Sequence, residues 1–198
     1  MQGNIGLFFG SFNPIHIGHL VLAEYIFQKA ELDKVLFVVT PHNPHKQKST
    51  LLPDRERLHL VHLALEDQIG LEASDLEFGM PQPNYTAQTL AFLREKHPQA
   101  CFQLIMGEDN LRSLHKWKNV ETILEHHKLL VYPRFSEESA NETLDELLQK
   151  YPQATFIDAP KMDISASLIR AHFKSGKPLR NLVPKAVFEY IEGSNLFQ

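Results

Sequence analysis

Asn4-Ile-Gly-Leu-Phe-Phe-Gly-Ser-Phe-Asn-Pro-Ile-His-Ile-Gly-His-Leu-Val-Leu-Ala-Glu24 opens with a short apolar run, Ile5 to Phe9, of the length and bulk of a buried strand. The run breaks at Gly10 and Ser11 and passes through a turn carrying Asn13 and Pro14. It then becomes a helical pattern from about Ile17, in which Leu20, Ala23 and Phe27 share a face. A strand that breaks at a glycine and returns as a helix is the geometry of a phosphate site. The glycine lets backbone come close to a ligand, and the unpaired N–H groups of the helix start point at it. His16 and His19 flank Gly18 at that start. Their spacing puts both rings on roughly one helix face, where both can point at one ligand. The Asn13 side chain can make an Asx-type turn before Pro14.

The whole chain bounds what such a site can serve. Its 198 residues are expected to form one domain, at the large end for a single core. Twenty basic against 24 acidic residues leave a formal charge of −4, which excludes non-specific binding of nucleic-acid polymers as the main task. No apolar stretch approaches a membrane span, and the N-terminus lacks a basic region followed by an apolar one. A single cysteine, Cys101, allows no internal disulfide, and its apolar neighbours place it as a buried strand thiol. A cytoplasmic protein is the economical expectation. A homo-oligomer is compatible with the sequence but not specified by it.

Outward from the opening unit, Lys34 to Thr40 is a β-branched apolar run without alternation, as in a parallel strand covered on both faces. The loop Pro41 to Lys46 follows, where open α/β sheets place ligands. Pro53-Asp54-Arg55 opens a helix with Leu58, Val61 and Leu65 on its apolar face. Leu71 to Glu77 reads as a weak strand and Met80 to Tyr85 as a proline-rich loop; Thr86 begins a helix with Leu90 and Leu93 inward. Cys101 to Met106 is a strong strand ending at Gly107-Glu108-Asp109. A short helix, a loop holding Trp117, a helix around Val120 to His126 and a strand from Lys128 to Tyr132 come next, ending at Pro133-Arg134. A helix with Leu144, Leu147 and Leu148 and a strand from Ala154 to Ile157 precede a helix with Ser165 as N-cap and Ile164 with Ile169 as a hydrophobic staple. A helix started by Pro184 closes the chain. The alternation predicts an α/β fold: a Rossmann-like, doubly wound, mostly parallel sheet with helices on both faces. The helical segment from about 165 to 193 is expected to pack on that single domain.

Such a sheet brings donors and cations together from four strand ends: Gly10 to His19, His42 to Lys46, Gly107 to Asp109, and Ser165 to Arg170. In the last segment two hydroxyls, Ser165 and Ser167, join the Arg170 guanidinium and a free helix N-terminus, a combination suited to pyrophosphate.

The stretch Gly10-Ser-Phe-Asn-Pro-Ile-His-Ile-Gly-His19 resembles the signature of the nucleotidyltransferase superfamily that carries an HxGH motif, with Asn13 where related loops usually have Asp. Ile164-Ser-Ala-Ser-Leu-Ile-Arg170 resembles its second signature, usually Ile-Ser-Ser-Thr-x-x-Arg, with Ala166 and Ser167 as departures. Between them, Pro44-His45-Lys46, Asn84-Tyr85-Thr86 to Leu90, Gly107-Glu108-Asp109 with Trp117-Lys118, and Tyr132-Pro133-Arg134 are similar to segments of the bacterial nicotinate-nucleotide adenylyltransferase family. Gln88 stands where that family has an acid. The resemblance runs from residue 5 to about 191.

It implies adenylyl transfer from ATP to nicotinate mononucleotide, with Mg²⁺ brought by the triphosphate. Gly10, Ser11 and Phe12 would line the nucleotide site with main-chain groups. His16 and His19 would contact the triphosphate, and Lys46 would add a cation beside His45. Gly107 and Asp109 would meet the ribose, and Ser165, Ser167 and Arg170 the β- and γ-phosphates. Tyr85, Thr86 and Trp117 would form the pyridine pocket, and Arg134 would meet the mononucleotide phosphate.

Other readings compete. His16-Ile-Gly-His19 is also the first signature of class I aminoacyl-tRNA synthetases, but a chain of this length and charge has no room for an anticodon-binding region or a basic RNA face. A relative using nicotinamide mononucleotide or phosphopantetheine remains an alternative, as does a non-catalytic nucleotide sensor. A zinc site from His16, His19, His42 and His45 is conceivable by ligand count, though each pair already has a phosphate explanation.

Overall fold

Gly3–Gly10 forms β1, and everything else is arranged on its two sides. The structure, a computed structural model, describes residues 1–42, 51–134 and 143–197. From β1 the chain passes through α1 (Ile17–Lys29) to β2 (Lys34–Val39), then through α2 (Asp54–Leu65) to β3 (Leu71–Ser74). Helix α3 (Thr86–Lys96) returns it to β4 (Ala100–Gly107) on the other side of β1. Helices α4 (Glu108–Ser113) and α5 (Val120–His126) lead to β5 (Lys128–Tyr132), and α6 (Leu144–Lys150) to β6 (Ala154–Phe156). Helices α7 (Ala166–Lys174) and α8 (Lys185–Gly193) complete the chain.

All strand pairings are parallel, in the order β3-β2-β1-β4-β5-β6. The winding direction therefore reverses between β1 and β4. In open α/β sheets the crevice outside the carboxyl ends of the strands at such a reversal is where ligands bind.

Alternate residues of the central strands feed two cores, which is why β1, β2 and β4 read as continuous apolar runs. Phe8, Phe37 and Ile105 face the helices α1, α2, α7 and α8. Leu7, Val38 and Leu104 face α3, α4, α5 and α6. Ile169 and Phe173 of α7, with Val187, Phe188 and Ile191 of α8, are part of the first core, so the C-terminal segment packs on the sheet domain.

Three local expectations shift. Cys101 is exposed, not buried. It is the second residue of β4, opposite the exposed Asn4 of β1, below the level that the helices cover. The buried face of α1 is Gly18, Leu22, Ala23 and Ile26, with Leu20 and Phe27 at its margins. Strand β3 stops at Ser74, because the chain turns there: Phe78 N–H donates to the Asp75 carbonyl at 2.8 Å and Met80 N–H to that of Glu77 at 3.1 Å.

Candidate active site

The loop between β1 and α1 is shaped by two close approaches. Phe12 holds a left-handed backbone (φ 43°), a strained state for a non-glycine residue that clusters at functional sites. This turns its ring into the core, edge-on to His19 at 5.1 Å between centroids. Gly18 has the His16 ring against it: a Cβ there would lie 3.1 Å from His16 Nδ1. A side chain at position 18 would therefore press on the His16 ring.

His16 and His19 stack at 3.6 Å between ring centroids, with 24° between their planes. The His16 N–H donates to His19 Nδ1 at 3.2 Å. With Nδ1 of His19 used as an acceptor, its proton sits on Nε2, which makes the ring a donor on its other side. Burial, followed by the charge of Arg134, pushes His16 down to about 4. His16 is thus neutral at pH 7 and offers hydrogen bonding, not charge.

The anchor of this loop is a residue that the motif reading passed over. Arg57 in α2 is fully buried. Its guanidinium donates to the carbonyls of Ser11, Thr40 (3.0 Å) and Leu52 (3.1 Å), and pairs with Asp54 at 2.7 Å. It ties the loop after β1 to the end of β2. The signal was present: Arg57 shares a helical face with Val61, Ala64 and Leu65, where an apolar residue is expected. Asn13 is buried beside it, its Oδ1 accepting from Leu52 N–H at 3.1 Å.

A cavity of about 850 Å³ opens above this loop, within the range of small-ligand sites. Its wall brings together Gly10, Ser11, Phe12, His16 and His19 from the β1–α1 loop, Tyr85 and Thr86 from the start of α3, and Asp109 and Trp117 from the segment after β4. Arg134, Ser165, Ser167 and Arg170 complete it. Gly107 stands behind this wall, where a Cβ would run into the Asp109 carboxylate. His45 and Lys46 lie outside the described residues.

Two cations of the wall, Arg170 and Arg134, are already engaged. Arg170 donates to the Asn13 carbonyl at 2.7 Å and to Ser167 Oγ at 3.1 Å, joining α7 to the first loop. Ser165 caps α7, accepting from Leu168 N–H at 3.2 Å. Arg134 pairs with Asp109 Oδ2 at 3.3 Å, so it stands beside the acid expected to meet the ribose. Asp109 Oδ1 is buried without a hydrogen-bond partner among the described residues. Burial also drives the neighbouring Tyr132 hydroxyl up to about 12, so it stays protonated. Trp117 is half-buried, packed on the second core and open to the cavity. Lys118 lies over the Tyr85 ring at 4.3 Å. Sequence reasoning also missed Glu77 and Asn84, buried polar residues on the same wall.

Residues 7–172 match the family model described as cytidylyltransferase-like, the nucleotidyltransferase class that this fold and site define. A relative from Flavobacterium johnsoniae, named "Probable nicotinate-nucleotide adenylyltransferase", is 50% identical over 98% of this chain and 98% of its own. One of the same name from Christiangramia forsetii is 45% identical with both chains covered in full. The chain belongs to the nicotinate-nucleotide adenylyltransferase family. In three dimensions it is similar to Plasmodium falciparum nicotinic acid mononucleotide adenylyltransferase complexed with NaAD, with a TM-score of 0.83 over 99% of this chain and 98% of the other. Identity there is 20%, so that likeness concerns the fold.

Proposed function

We propose that this chain transfers the adenylyl group of ATP to nicotinate mononucleotide, giving deamido-NAD and pyrophosphate as a step of NAD biosynthesis in the cytoplasm. The observation that carries the reading is one cavity lined by both signatures, His16 to His19 and Ser165 to Arg170, together with the Tyr85-Thr86 helix start and Trp117. A phosphate oxygen of the mononucleotide attacks the α-phosphorus, and the bond from that phosphorus to the bridging oxygen breaks to release pyrophosphate. The chemistry asks the protein for alignment and for donors where negative charge grows. His19 supplies such a donor from Nε2 at the α-phosphate, with Lys46 as a further cation. Asp109, on the cavity wall beside Arg134, accepts a ribose hydroxyl.

Mg²⁺ enters with the triphosphate. Among the described residues no three His, Cys, Asp or Glu side chains gather to hold a metal. That lining fits an ion that takes its ligands from water and phosphate rather than from side chains.

The acid is the expected substrate. The N–H groups at the start of α3 receive its carboxylate, whereas an amide would set its own NH₂ against them, and each unpaired buried donor costs about 1–3 kcal/mol. Comparing kcat/KM for nicotinate and nicotinamide mononucleotides checks this; an amide that is used as well as the acid would refute it. Trp117→Ala should raise KM for the mononucleotide by roughly tenfold, from lost stacking on the cationic pyridine ring, and leave that for ATP nearly alone. The reverse pattern would move Trp117 out of this pocket.

Arg170→Ala tests the phosphate end. A charge-assisted bidentate contact is worth about 1.5–3 kcal/mol, so KM should rise roughly 10- to 100-fold for ATP forward and for pyrophosphate in reverse. Unchanged values in both directions would leave Arg170 only as the strut that holds the Asn13 carbonyl.

A further inference from the structure

Glu77 is 1% exposed and yet lines the cavity. Its Oε1 accepts from Thr89 Oγ1 of α3 at 2.6 Å. Its carbonyl accepts from Asn84 Nδ2 at 3.3 Å, and Asn84 is bonded in turn to the backbone of His42. The Thr89 bond holds the carboxyl against α3, and the Asn84 bonds fix the Glu77 backbone beside the residues that lead into that helix, the wall assigned above to the substrate's pyridine ring. Oε2 is buried with no hydrogen-bond partner among the described residues. An ionised oxygen left in that state is costly, and a proton on it removes most of the cost.

The start of α3 has one set of free N–H groups and one positive end. Two carboxylates brought there together repel, so one of them is favoured in its neutral form. We propose that Glu77 is a specificity-determining residue: its buried carboxyl, neutral when substrate binds, leaves the start of α3 to the carboxylate on the substrate's pyridine ring. This rests on the mononucleotide reading of the pocket. Burial lifts the Glu77 carboxyl above the usual carboxylate range, and the hydroxyls of Thr89 and Thr40 pull it partly back. Ionisation of Glu77 on raising the pH then sets a second anion beside that carboxylate, weakening the acid and sparing the amide.

Among the described residues, the groups that meet Glu77 are Thr89, Thr40 and Asn84, all uncharged. The ionisable groups joined to that network among the described residues are Arg57 on the Thr40 carbonyl and His42 on Asn84, with Lys118 over Tyr85. All of them persist in E77Q, which keeps an oxygen for Thr89 and cannot ionise. Calorimetric Kd values for nicotinate and nicotinamide mononucleotides, measured from about pH 5.5 to 8.5 in both proteins, test the proposal. The two ligands share a phosphate whose second ionisation lies near pH 6, so its titration cancels in the ratio of their Kd values. In the wild type, preference for the acid should fall by about tenfold toward high pH, one unit of coupling between two carboxyls. In E77Q it should stay level, and acid binding to the wild type alone should take up a proton at high pH. A ratio that is flat in the wild type, or that moves equally in both proteins, overturns the role of Glu77. Failure of the wild type to bind the acid at any pH overturns the pocket reading as well.

Discussion

His19→Ala lowers kcat by roughly 10²–10³-fold while the KM for ATP stays within a few fold. The asymmetry follows from how the ring is held. Its Nδ1 is occupied by the His16 N–H, and its face is covered by the neutral His16 ring. Phe12 and Phe8 meet it edge-on, at 5.1 and 6.0 Å between centroids. A ring fixed on this many sides costs little to orient when charge develops on the α-phosphate, so its Nε2–H acts mainly in the transition state. The triphosphate keeps its other donors in the variant, which is why binding changes little. Steady-state kinetics with pyrophosphate detection decides the matter. A variant that keeps more than half of the wild-type turnover would remove His19 from the chemistry.

The second large effect falls on stability. Arg57→Met removes the guanidinium that serves three carbonyls and the Asp54 carboxylate from a fully buried position. Deleting one partner of a buried pair costs about 3–5 kcal/mol, and the loss here should lie at the lower end, because the Thr40 carbonyl is left buried without its donor while Asp54 is partly exposed to water. Because two of those carbonyls belong to Ser11 and Thr40, the cavity wall loosens at the site proposed for the phosphates. Urea unfolding should show the loss, and KM for ATP should rise even at temperatures where the variant is folded. A change of under 1 kcal/mol would show that water replaces the guanidinium at little cost. Arg57→Lys should recover part of the stability only, because an ammonium cannot reach all of these acceptors in one plane.

Much of the frame was legible in the sequence because burial leaves a mark on composition. Strands covered on both faces show as runs without alternation, so β1, β2 and β4 stood out, and the Gly10 break and the Ser165 cap marked two segments that meet at the cavity. Edge strands leave a fainter mark: β3 is four residues long with only Leu71 fully buried, and its end at Ser74 was set by a turn that carries no glycine or proline before Gly79. Glu77 escaped because it looks like an ordinary surface residue until its partners Thr89 and Asn84 are known, whereas Arg57 was marked only by its place on the apolar face of α2. Cys101 misled for the opposite reason, since apolar neighbours do not reveal where the start of a strand lies beyond the cover of the helices. The pairing of Arg134 with Asp109 depends on strand ends of β4 and β5 standing side by side, which motif spacing does not reveal.

The link from Arg170 to the Asn13 carbonyl spans 157 residues, and it sets an order on how the protein comes off the ribosome. At ~5–20 residues per second, the nascent chain waits roughly 8–30 s between making the first loop and making the arginine that ties it down. Strand β1 meets a related delay, because its Leu7 pairs with Leu104 of a strand made only after two other βα units. Until then one edge of this central strand stands open, a template for pairing with a neighbouring chain. Slowing translation before β4 should therefore lower the yield of native protein more than slowing it after α7, when both edges are closed and the loop is tied.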